Sequence, residues 1–213
     1  YLQERGDGEK QERATILPSA QLLLLHFIYR GCEELLTSEA AVQLGFTSTS
    51  ISRASRQLEK MGLIQTEKRG VQKVLISGKT PKELFDSAKD VMLNPVKRTV
   101  YVPKEKVSAP LLLSGYSALS EYSMINPPEV TCLATGSISA WDKVSSGRLQ
   151  NADDQYAVEL WRYDPTKLSD GMCVDRLSLA LALGEDMDER VEEAVEALLD
   201  DVWRKLNAVG HLG

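Results

Sequence analysis

The spacing of apolar residues switches repeatedly between a helical and an alternating period along the chain. Leu22 to Ile28 is nearly continuous apolar sequence. With Pro18 suited to a first helical turn and Gly31 to an end, it predicts a helix over 21–30 that is too apolar for one narrow contact stripe. Such a helix needs covering on several sides, either beneath a neighbouring unit or in a dimer contact. Thr37-Ser38-Glu39 supplies hydroxyls for a helix start, Ala40, Ala41, Val42 and Leu44 follow, and Gly45 ends that helix. Phe46 is placed to plug a corner. Thr47 to Ser50 then opens a further helix in which Ile51, Ala54, Ser55, Leu58 and Met61 recur at helical spacing as an inner face. Gly62-Leu63-Ile64 stops it and starts a strand, Lys68-Arg69-Gly70 suits a turn, and Val71 to Ile76 alternates back.

Beyond the hairpin, Thr80-Pro81 opens a helix reaching about Met92, Asn94-Pro95 breaks it, and 97–102 alternates as a strand. The stretch 103–110 carries two prolines and reads as a junction. After it come the short apolar run Leu111 to Leu113, a helix through Ala118, Leu119 and Tyr122, a strand over 129–134, and a polar loop over 137–154 containing Trp141. A strand over 156–163, the turn Asp164-Pro165 and a helix over 175–183 follow. Asp186 is placed to cap a final helix to about Leu206, with Met187, Val191, Ala194, Val195, Leu198, Val202, Trp203 and Leu206 on one side.

The outer face of the helix over 47–61 carries the candidate chemistry. Thr49, Ser50, Ser52, Arg53, Arg56, Gln57 and Lys60 are the side-chain types that hydrogen-bond base edges and phosphates. Together with Ser52-Arg53, Leu58-Glu59 and Gly62-Leu63-Ile64, and with the hairpin behind them, this region resembles the winged helix-turn-helix regulators of the multiple-antibiotic-resistance-regulator (MarR) type. The resemblance covers about forty residues and implies a bacterial transcription regulator that docks helix 47–61 in the major groove of duplex DNA, with the 63–76 hairpin as a wing. Thr47 would cap the helix at a phosphate, Ser48 to Ser52 and Arg53 would face the groove, and Arg56, Gln57 and Lys60 would hold the backbone. Arg69 and Lys73 would reach the adjacent groove or its phosphates. The wing is short, so the resemblance implies major-groove docking more than minor-groove insertion. A two-fold operator would be met by a homodimer. The same residues are also compatible with an ordinary solvated helix face, or with a winged helix that binds protein.

Charge sharpens the picture. Residues 1–106 hold 17 Lys and Arg against 13 Asp and Glu, a balance of +4, whereas residues 107–213 hold 8 against 18, a balance of −10. Within 46–75 there are six cationic and two anionic residues, a local cationic surface of the kind phosphate binding needs. The expected organisation is therefore α+β in two parts: a polar segment 1–13, a winged helix domain over 14–102 that is mostly α with a β-hairpin, and a smaller acidic α+β domain over 103–213. The acidic part would repel DNA and be free for an effector or a protein partner.

That second part tests negative for the chemistry its motifs suggest. Ser114-Gly115 at a helix start offers free amides, as in nucleotidyltransferase-like folds, but the strand over 129–134 carries one glutamate and no Asp-x-Asp pair for magnesium. Ser117 lacks the final glycine of a hydrolase elbow, and Asp164, Asp170 and Gly171 lack the ladder of a calcium loop. The layout from the Ser-Gly helix start to Glu159-Leu160-Trp161-Arg162-Tyr163-Asp164-Pro165 resembles the C-terminal half of some bacterial regulators, and abortive-infection-type antitoxins, with a degenerate nucleotidyltransferase-like unit as the third comparison. The alternatives to a regulator are accordingly a nucleotidyltransferase-like enzyme or an antitoxin that represses its own operon. No catalytic residue, metal site or cofactor is expected, and no enzyme activity. The acidic residues of the last helix, spaced every three or four, read as a solvated face.

Cys32, Cys132 and Cys173 are an odd number with no paired spacing, which argues against a disulfide framework and a structural zinc site and suits a reducing cytoplasm; each reads as a small buried hydrophobe. His26, inside the apolar helix, reads as a hydrogen-bonded structural histidine, and His211 lies near the chain end. No run approaches the ~18 uninterrupted apolar residues of a membrane span, and no signal or transit pattern is visible.

Overall fold

The computed structural model describes residues 15–108, 110–184, 186 and 188–210; segment 1–13, Met187 and His211 lie outside the described residues. Among those described, seven α-helices and two small sheets form a mixed α+β fold. Helix α1 (Pro18–Arg30) begins with proline in its first turn, where the missing N–H has no helical acceptor to lose, and ends at Gly31, whose φ of 59° suits a residue without Cβ. Every residue from Ala20 to Ile28 is buried. The apolar surplus of this helix is covered by the chain itself.

Helices α2 (Thr37–Leu44) and α3 (Ser48–Lys60) pack against α1, joined by Gly45 at φ 67° and Phe46, which lies half-buried against the core. Three antiparallel strands, β1 (Glu34–Leu36), β2 (Gln65–Arg69) and β3 (Gln72–Ile76), stand in the order β1–β3–β2. Two details depart from expectation. The helix α2 has Leu36 as its N-cap with no side-chain bond, because the Thr37 hydroxyl donates instead to the Lys73 carbonyl at 3.0 Å, tying the helix to β3. And β2 extends through Arg69, so the hairpin loop is Gly70-Val71 rather than Lys68-Arg69-Gly70, with Gly70 supplying the positive φ of 65°.

Helix α4 (Pro81–Ala88) starts at the anticipated Thr80 cap, and Glu83 completes it: Thr80 accepts from the Glu83 amide and the Glu83 carboxylate accepts from the Thr80 amide, a capping box. The second sheet has the order β4–β7–β6–β5, with β4 (Val96–Pro103), β5 (Leu112–Leu113), β6 (Cys132–Thr135) and β7 (Gln155–Trp161). Only β6 and β7 run parallel. Its leading strand β4 comes from the sequence before residue 103 and pairs with β7 along its length. Helix α5 (Gly115–Tyr122) lies between β5 and β6, and α6 (Arg176–Leu183) and α7 (Glu189–Gly210) complete the chain. The start of α7 is held by Asp188, whose carboxylate accepts from the Arg190 amide; Asp186, expected to cap it, instead accepts from the Tyr116 hydroxyl and the Asp188 amide.

The main core crosses residue 103. Leu23, Leu24, Leu25 and Leu58 share it with Trp161, Tyr163, Leu177, Leu179 and Trp203, and the Phe85 and Trp203 rings lie 5.4 Å apart. A separate, smaller cluster joins Val100, Val102 and Val158 to Ile138 and Trp141. Gln21, wholly buried, is the polar pin between the parts: its amide nitrogen donates to the Leu93 carbonyl at 2.9 Å and the Tyr163 hydroxyl at 3.4 Å, and its oxygen accepts from the Leu93 amide at 2.7 Å. No helix among the described residues is long and apolar enough to cross a membrane.

Candidate nucleic-acid interface

Helix α3 is built to keep one face outward. Ile51, Ala54, Ser55 and Leu58 are buried at helical spacing, which turns Thr49, Arg53, Arg56 and Lys60 to the exposed side. Thr47 caps the first turn, accepting from the Ser50 amide at 3.1 Å while the two hydroxyls lie 3.0 Å apart. Ser48 is exposed, and Ser50 and Ser52 are half-exposed. Arg53, Arg56 and Lys60 make no ion pair and no side-chain hydrogen bond among the described residues.

A concavity of about 490 Å³ separates α2 from the first half of α3; its surface is mostly apolar, from Ala41, Val42, Phe46 and Ile51, with Thr37, Ser38, Ser48, Ser52, Ser55 and Lys73 around it. Lys73, half-buried on β3, donates to the Ser55 hydroxyl at 3.3 Å and so presents its ammonium beside these groups. Lys68 stands directly opposite Lys73 in the β2–β3 register and is exposed. Two like charges facing each other across a hairpin weaken its pairing, and the Glu59 carboxyl, which Lys73 helps to hold low, offsets part of that here. Lys68 belongs with the candidate residues, and the signal for it was the basic run before Gly70.

The remaining candidates are engaged internally. Gln57 reaches back to the chain entering α1: its oxygen accepts from the Leu17 amide at 2.8 Å and its nitrogen donates to the Thr15 carbonyl at 3.2 Å. Arg69 forms a two-pronged pair with Glu34 at 2.6 and 2.7 Å and a further bond to Glu67 at 3.0 Å. The guanidinium in turn holds the Glu34 carboxyl below its usual range through the hydrogen bond. Glu34 lies 35 residues from Arg69, ahead of the basic stretch 46–75; only pairing of β1 with β3 brings it there. Glu59 is occupied by Thr66, whose hydroxyl and amide both donate to it.

The Ser-Gly helix start in the second part is filled by a protein carboxylate. Ser114, buried ahead of α5, donates to Glu159 at 2.5 Å, and the Trp161 indole donates to the same oxygen at 3.0 Å. A Cβ at Gly115 would meet Cys132 Sγ at 3.3 Å and Glu159 Oε1 at 3.4 Å. Burial first, and Glu159 second, push the Cys132 thiol far above its ordinary range, so it is protonated and inert. No group of three or more His, Cys, Asp or Glu suited to a metal occurs among the described residues. No protein family, curated protein or solved structure matches the chain.

Proposed function

We propose that this chain is a winged helix-turn-helix regulator that binds duplex DNA, with α3 in the major groove and the β2–β3 hairpin as its wing. The observation that carries the reading is the set of exposed cations Arg53, Arg56 and Lys60 along α3, which make no ion pair among the described residues, beside a concavity that holds Lys73. Exposed cations on one helix face are available to displace phosphate counterions. The element order supports it as well: α2, a glycine turn, α3 and a hairpin follow one another as in the motif, with β1 as the third strand.

In this reading Arg53, one turn into α3, meets base edges together with Thr49 and Ser50. Arg56, Lys60, Lys68 and Lys73 engage phosphates, with Ser48 and Ser52 donating beside Lys73. Gln57 and Arg69 organise the unit rather than touch nucleic acid. Two copies on a two-fold site would double the contacts, and that pairing must use a surface other than α1, which is consumed internally.

The test is fluorescence anisotropy of labelled duplex over a range of salt. Replacing Arg53 and Arg56 by Ala should cost about 1–3 kcal/mol for each base-directed pair lost and lower the salt slope by about 0.9 per phosphate contact, with thermal stability unchanged. Arg69→Ala should leave the slope unaltered. Equal affinity and slope in wild type and the double variant would overturn the assignment of α3.

A further inference from the structure

We propose that the apolar concavity between α2 and α3 is the part of the nucleic-acid surface that selects thymine, by enclosing its 5-methyl group. This inference rests on the proposed docking of α3 in the major groove and adds to it a preference among bases. The concavity, about 490 Å³, is walled by Ala41 and Val42 of α2, Phe46 of the turn and Ile51 of α3, with Ser48 and Ser52 on its α3 side. Thr49 and Arg53, the side chains assigned to base edges, follow Ser48 and Ser52 by one residue and stand on the adjoining ridge of the same helix.

Folding does not account for the apolar character of this surface. Val42 is 82% exposed on α2, so it buries almost nothing, and a β-branched residue is a poorer helix former than alanine or the long polar residues. One exposed valine is ordinary on any surface. Here it adjoins Ala41 and Phe46, which pack against the core while lining the same concavity. The result is an apolar hollow set among hydroxyls and cations.

Charge and groove chemistry select the occupant. Among the described residues lining the hollow, Lys73 carries the one charge, and the neighbouring exposed face of α3 presents Arg53, Arg56 and Lys60. An apolar protein side chain docking there brings nothing to match those cations, whereas duplex DNA brings its phosphates. The apolar group that the base pairs present in the major groove is the thymine 5-methyl; the other edge groups are hydrogen-bond donors and acceptors. An apolar hollow facing that groove therefore favours thymine over cytosine, which has no methyl group.

The test takes the duplex motif that the full chain selects from a random library and replaces thymine by uracil one position at a time, which removes the methyl group and keeps the O4 acceptor. Fluorescence anisotropy should show affinity falling about fourfold at one position or more, the worth of one buried carbon group. The salt slope should stay the same, because no phosphate contact is lost. In Val42→Ser, a change at an exposed position that leaves the core intact, the thymine-to-uracil ratio at those positions should drop below about twofold. Equal affinity for thymine and uracil at every position, with the salt slope intact, would overturn this inference, leave the docking of α3 standing and give the hollow to a protein partner instead. A selected motif without thymine, or an undiminished ratio in Val42→Ser, would overturn it as well. Absence of binding to any duplex would overturn both this inference and the docking of α3.

Discussion

Two side chains show how far residue type alone carries function. Gln57 and Arg69 have the same chemistry as groups that grip DNA, yet one is hydrogen-bonded to the backbone at Thr15 and Leu17 and the other is clamped by Glu34 and Glu67. Their roles depend on partners distant in sequence, which local charge counting does not reveal. His26 departs from expectation in another way: its Nε2 is buried without a hydrogen-bond partner among the described residues, while Gln43 hydrogen-bonds the side chain, so the ring's hydrogen bonding is only partly met. Burial first, and then Arg30 one turn along α1, lower its pKa below 6.5, with Gln43 partly offsetting them. The sign follows directly. As pH falls through 6.5, the unfolded chain takes up a proton that the folded chain resists, so stability declines with acidification down to the depressed folded value. His26→Leu should remove that slope and, by deleting an unmet polar atom, stabilise the fold by about 1 kcal/mol or more. Urea denaturation at about pH 7.5 and 5.5 measures both; a variant that keeps the wild-type slope contradicts this assignment of the pH dependence.

At the scale of elements, the parts with strong local signals were legible. The inner face of α3 followed from its period, Gly31 and Gly45 from their places after apolar runs, and the start of α4 from Thr80-Pro81. Thr80→Ala removes the capping hydroxyl and should cost about 1 kcal/mol, read as a lower urea midpoint; no change would show that the box adds nothing to α4. What escaped was set by tertiary pairing. β1 spans three residues, too few for alternation to register, and it exists because β3 offers an edge. Thr37 and Asp186 have the chemistry of caps, but Lys73 and Tyr116 compete for them from elsewhere in the chain. The exposed basic face of α3 was readable from sequence, whereas the withdrawal of Gln57 and Arg69 from it and the placing of Lys68 opposite Lys73 required the fold.

For the molecule as a whole, the charge asymmetry between the halves is real, but the hydrophobic core takes no notice of it. α1 and α3 share that core with α6, α7 and the end of β7, and Gln21 ties Leu93 to Tyr163 through its centre. Calorimetry should therefore show one cooperative unfolding transition; two separable transitions would contradict a shared core. The acidic helix α7 and the cationic face of α3 then sit on one body, which fits a surface that meets DNA on one side and repels it elsewhere. The most direct measurement of that claim is selection of bound duplexes from a random library with the full chain, repeated with the Arg53→Ala, Arg56→Ala variant. The account predicts an enriched motif for the wild type that the variant fails to select. Failure of the wild type to enrich any duplex at about 50 mM salt, or the same motif recovered by the variant, would contradict it.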